Sequence, residues 1–115
     1  MINSNYIQIS NILKRTVNRL ESLEQECHPI SNYELGQLNA YGHIVTLLDV
    51  SIDSNDAKLL KSFYLTLVNN IDRLESLQKE NNSLSDYELG QLNAFSNSHF
   101  LVDIIENNNK ANFCL

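Results

Sequence analysis

The eight residues YELGQLNA occur twice in this chain, at 33–40 and again at 87–94, 54 positions apart. Sliding the sequence by 54 aligns residues 18–50 with 72–104 without a gap, and 17 of the 33 pairs are identical. Thirteen of those identities fall in two blocks, RLESL (19–23 on 73–77) and YELGQLNA, which leaves four among the other 20 pairs. Copying alone would spread the likeness more evenly, so a physical constraint acts on the two blocks. A duplication of this length confines 115 residues to two copies of one supersecondary unit packed on each other.

The period within each copy identifies the unit. Tyr6, Ile9, Leu13, Thr16, Leu20, Leu23 and Cys27 step by three and four, as do Leu60, Phe63, Leu67, Asn70, Leu74 and Leu77, which is the spacing of an amphipathic helix. Asn11, Asn18 and Gln25 stand opposite the first stripe. Each long helix then runs into a polar turn, ECHPIS or ENNSLS. Ser31 with Glu34, and Ser85 with Glu88, have the Ser-x-x-Glu spacing of a capping box, and Ile30 with Leu35, and Leu84 with Leu89, hold the positions of a hydrophobic staple. Pro29 sits outside the helix, where no backbone donor is lost. Second helices are therefore predicted from Ser31 to Val50 and from Ser85 to Asn107, with Asp53 capping helix 3 and Asp56 three residues on.

The expected fold is all-α: two tandem αα-hairpins, repeats 1–52 and 53–107, packed as a four-helix bundle in a single domain 1–115, with 108–115 as a tail. Scarce glycine (3) and proline (1) fit helices better than sheets. Short turns place Leu20 and Leu23 opposite Leu35 and Leu38, so the two repeated blocks read as the facing walls of each hairpin. Gly36 with Ala40, and Gly90 with Ala94, lie four apart and permit close backbone approach. Leucine at Gly36 should overpack, and alanine should be tolerated better. Tyr33 and Tyr87 can bury a ring and keep the hydroxyl wet or bonded.

The formal charge of −6 is shared between the halves, with three basic and six acidic residues in 1–54 and five and eight in 55–115. No basic face is available for phosphates, so direct nucleic-acid binding is not expected. No signal peptide or membrane span is legible, and the two cysteines, Cys27 and Cys114, stand outside metal or redox spacing, so a cytoplasmic location is expected. His28, His43 and His99 have no histidine counterparts in the other repeat, and Glu-x-x-His pairs are missing; no metal, cofactor or catalytic residue is therefore assigned. Glu34 and Glu88 are explained as caps.

Two groups of residues remain for binding another protein. Gln37, Asn39, Gln91 and Asn93 either bond across the hairpin, to Arg19 and Arg73, or present a duplicated polar surface. In LLKSFYLTLV, residues 59–68, Tyr64 and Leu65 replace Ser10 and Asn11 of the first helix. The apolar stripe widens there, so helix 3 is either central or a contact surface, with Lys61 beside it.

The pattern Tyr-x-Leu-Gly-x-Leu-x-Ala opening a helix, Tyr33 to Ala40 and Tyr87 to Ala94, resembles that of small helical accessory proteins of phages and plasmids from bacteria with AT-rich genomes. The resemblance covers the two hairpin joints and assigns no functional residues. It implies a non-enzymatic factor that binds a host or rival protein, such as an inhibitor of a defence system. The expected function is thus a small acidic inhibitor or modulator, with anti-CRISPR activity as its sharpest form. The alternative is a homo-oligomeric structural or regulatory protein, in its simplest form a homodimer, with residues 59–68 buried between subunits.

Overall fold

The computed structural model describes residues 4–26 and 29–113, with side chains described as far as residue 105. Four helices follow one another: α1 (Asn5–Gln25), α2 (Asn32–Ser54), α3 (Ala57–Asn81) and α4 (Asp86–Phe113). They form an all-α four-helix bundle. The expected tail is helical as far as Phe113. Cys27, His28 and Cys114 lie outside the described residues.

Both capping boxes form. The Glu34 amide donates to Ser31 Oγ at 3.1 Å and the Ser31 amide to Glu34 Oε1 at 3.2 Å; Glu88 and Ser85 repeat this at 3.1 Å in each direction. These bonds hold both glutamates below their ordinary value of 4.5, the Ser31 or Ser85 backbone being the main cause. The cap of α3 differs from the expectation. Asp53 is still inside α2, and Asp56 accepts from the Lys58 amide at 2.8 Å. α2 runs on to Ser54 because Asn55 takes a left-handed conformation, φ 49°, and ends the helix. Asparagine accepts this conformation more readily than other residues with a side chain. Asn82 does the same after α3, at φ 61°.

The one-sided stripes are buried as the period requires. Ile9, Leu13 and Leu20 of α1 and Phe63, Leu67 and Leu74 of α3 are fully buried, and all belong to one apolar core. Ala40, Tyr41, Ile44 and Leu48 of α2 meet Ala94, Phe95 and Val102 of α4 in the same core.

The order of packing departs from the expectation in two ways. First, α2 and α4 form the principal contact of the molecule, while α1 and α3 flank them and do not pack on each other. Helix 3 is therefore an outer helix, and the reading that made it central is corrected. The flanking arrangement also explains a radius of gyration of 15.4 Å, above the roughly 13 Å expected for a compact chain of this length.

Second, the glycines of the repeated motif face the other repeat rather than the partner within their own hairpin. A Cβ placed on Gly36 would collide with the carbonyl of Tyr87, and one placed on Gly90 with the carbonyl of Tyr33. The collisions are reciprocal, since Tyr33 and Tyr87 are themselves 54 apart. Gly36 and Gly90 thus let two helix backbones touch at one crossing, close enough for Cα–H groups to face carbonyl oxygens. Alanine is already too large here, because the atom it would strike is backbone and cannot swing aside.

Candidate partner-binding face

The residues singled out in the sequence separate into two places. Gln37, Asn39 and Asn93 belong to the α2–α4 seam. Gln37 Nε2 donates to Asn93 Oδ1 at 2.8 Å, and Asn39 Nδ2 donates to the Tyr87 hydroxyl at 2.6 Å. Asn97 extends the row, donating to Asn93 Oδ1 at 3.1 Å and to the Tyr41 hydroxyl at 3.2 Å. The Gln37–Asn93, Asn39–Tyr87 and Asn97–Tyr41 bonds run between repeats rather than across either hairpin, and Arg73 bonds within its own helix, to Asn70 at 3.3 Å. Gln91 is half-buried beside them. Most of this polar row is engaged in holding the two central helices in register.

Tyr64, Leu65 and Lys61 lie on the outer side of the second hairpin, and the structure divides them. Tyr64 is half-buried and packs against the core, whereas Leu65 is 46% exposed and Lys61 is exposed. The Tyr64 hydroxyl shares a hydrogen bond with His99 Nε2 at 3.1 Å, and the two rings stand 5.3 Å apart, tilted by 36°. On its other nitrogen, His99 Nδ1 is 3.4 Å from Asp103 Oδ2. His99 thus stands between Asp103 at one ring nitrogen and the Tyr64 hydroxyl at the other.

The first hairpin shows what this cluster is for. Ser10, Val45 and Asp49 are the counterparts of Tyr64, His99 and Asp103. Ser10 donates to Asp49 Oδ1 at 2.6 Å, and the Lys14 ammonium stands 2.9 Å from Asp49 Oδ2. Burial raises the Asp49 carboxyl, but Ser10 and Lys14 together bring it below its ordinary value of 3.8. Each hairpin therefore ties its outer helix to its inner one, the first through Asp49 with Ser10 and Lys14, the second through Tyr64 and His99, with Asp103 beside His99 on its own helix. A duplicated tie of this kind is a structural strut. All buried side-chain nitrogen and oxygen atoms among the described residues have hydrogen-bond partners, which leaves no orphaned group aimed at a substrate.

Two outer-face residues were not singled out from the sequence. Phe100 is 64% exposed and Ile104, one turn further on, 39%. Their counterparts are Thr46 and Val50, and the counterpart of Leu65 is Asn11. Comparing the repeats through α4 as well as α3 would have found Phe100, since phenylalanine for threonine at an outward position is the larger change. Among the described residues no group of three histidine, cysteine or acidic side chains is gathered as for a metal, and no helix is long and apolar enough to cross a membrane. Compared with protein-family models, curated proteins and solved structures, the chain matches none.

Proposed function

We propose that the chain is a non-enzymatic protein-binding module, a small acidic inhibitor or modulator of a larger protein, acting in the cytoplasm. The observation that carries this reading is the apolar outer face of the second hairpin. Phe100 and Leu65 are exposed there, while the first hairpin has threonine and asparagine at the same positions. An exposed phenylalanine is costly to leave in water and is a favoured anchor in an interface. Gln37, Asn39, Gln91 and Asn93 are secondary candidates, since the seam already engages most of them. The sharpest form of the reading is an anti-defence factor of a phage or mobile element, such as an anti-CRISPR protein, supported by the resemblance of the repeated motif alone.

The test is affinity capture from a bacterial lysate, with Phe100→Asp and Thr46→Asp compared against the parent. A protein held by the parent and by Thr46→Asp but lost with Phe100→Asp is the expected result. Equal capture by all three removes the second hairpin as the binding face. Light scattering separates the homo-oligomer: a dimer that dissociates on Phe100→Asp would replace the inhibitor reading with self-association.

A further inference from the structure

The outer groove between α3 and α4 differs from its counterpart between α1 and α2 in a way that bears on what covers it. In the first hairpin the groove holds its own cation, since Lys14 reaches across from α1 to Asp49 of α2. Shifting by 54 puts Val68 in place of Lys14. The second hairpin has a cleft of about 290 Å³, lined by Val68, Ile71, Asp72 and Glu75 of α3 and by Ser96 and His99 of α4. Asp72 and Glu75 are exposed, three apart on one helix face, and make no ion pair among the described residues. His99 is turned to Asp103 and Tyr64. The cleft thus combines two apolar side chains with two carboxylates that lack a cation. Phe100 follows Ser96 by one turn, and Leu65 precedes Val68 by three residues, so exposed apolar groups flank it on both helices.

We propose that this cleft receives an arginine side chain of a protein partner. The methylene stem lies along Val68 and Ile71, the guanidinium meets Asp72 and Glu75, and Phe100 and Leu65 cover apolar surface beside it. The proposal rests on the protein-binding reading and deepens it by naming the partner's chemistry. Arginine suits the site because its stem is apolar and its planar head is weakly hydrated and pairs well with carboxylates. A chain of net charge −6 attracts a basic partner and orients it on approach. A second copy is the poorer occupant, since it would bring the same negative charge to a face that already carries two unpaired carboxylates.

The test is an NMR titration of the ¹⁵N-labelled chain with the peptide acetyl-Ala-Leu-Arg-Leu-Ala-amide, and with the same peptide carrying neutral citrulline in place of arginine, at matched ionic strength. Saturable amide shifts confined to residues 65–75 and 96–100, given by arginine and not by citrulline, are expected. Asp72→Asn with Glu75→Gln should weaken them about tenfold without moving the melting curve. Shifts spread evenly over both hairpins, an equal response to citrulline, or undiminished binding by the double variant would overturn the proposal. The two readings fail separately. A captured protein that is lost with Phe100→Asp but held at full affinity by the double variant leaves protein binding standing and removes the arginine. Saturable arginine binding with no protein held by the face upholds the cleft's ligand class and removes the protein-binding reading.

Discussion

The two halves of this molecule are identical along the motif where they touch each other and differ around the aspartates of their outer grooves. At the α2–α4 crossing, Gly36 meets Tyr87 and Gly90 meets Tyr33, and all eight letters of the motif agree. On the outer faces the same aspartate is retained, Asp49 and Asp103, but the residues around it are exchanged: Ser10 and Lys14 on one side, Tyr64 and His99 on the other. A change at the crossing strikes the backbone of the other copy, so neither copy can vary alone. A change on an outer groove is absorbed within one hairpin, which leaves that hairpin open to acquire a separate use.

The largest expected effects test whether the shared interior is equivalent in both copies. Leu20→Ala and Leu74→Ala, both at fully buried positions, should each cost about 2–5 kcal/mol in chemical denaturation. Losses that differ widely between the two would break the equivalence. Next comes the crossing itself, where Gly36→Ala and Gly90→Ala should each destabilise by about 1–3 kcal/mol, and leucine by more, because the added carbon meets a carbonyl that cannot move away. Unchanged melting for Gly36→Ala would remove the close-crossing account. The caps come third. Ser31→Ala and Ser85→Ala should lower stability by about 1 kcal/mol each.

Gly42 supplies the contrast to Gly36. A Cβ added there meets nothing, so Gly42→Ala should stabilise α2 by about 0.5–1 kcal/mol through helix propensity alone. Opposite signs at two glycines six residues apart in one helix would sharpen the distinction between packing and propensity. The smallest effect is the pH dependence. Glu34, Glu88 and Asp49 are held below their ordinary values of 4.5 and 3.8. Their contribution to stability is therefore complete above about pH 4.5 and is lost as the pH falls through the lowered folded values. Replacing Asp49 by Asn should flatten that acid limb, whereas stability that instead falls as the pH rises from 5 to 7 would contradict the assignment.

The helices, and the starts of α2 and α4, were legible because they depend on neighbours in sequence. Ser31, Glu34, Ser85 and Glu88 identify themselves by spacing, and the stripe from Ile9 to Leu20 identifies the buried face of α1. What the sequence concealed was which helix lies against which. A short turn makes contact within a hairpin certain, and the spacing therefore points the motif at its own hairpin, yet a glycine reports only that something comes close and not what it is. Helix 3 drew attention by its local widening at Tyr64 and Leu65. The better signal of a central helix was in α2, where Ala40, Tyr41, Ile44 and Leu48 are buried and the half-buried Leu38, Val45, Leu47 and Ile52 carry the apolar surface round to further sides. The cleft was hidden for a different reason. It shows only once α3 and α4 are placed side by side, since Val68, Ile71, Asp72 and Glu75 of one helix meet Ser96 and His99 of the other.

The link between α2 and α3 is only Asn55 and Asp56, and both residues are committed. The Asn55 amide closes the end of α2 on Ile52 at 3.0 Å, and the Asp56 side chain opens α3 on Lys58 at 2.8 Å. A hinge needs torsions that can change without breaking bonds, and this link has none to spare. Swinging one hairpin away from the other would unfasten two helix ends and part the glycine crossing in a single event. Amide exchange in the core of the two hairpins should therefore proceed through one shared opening, with matched protection on Leu13 and Leu67, rather than through two independent ones.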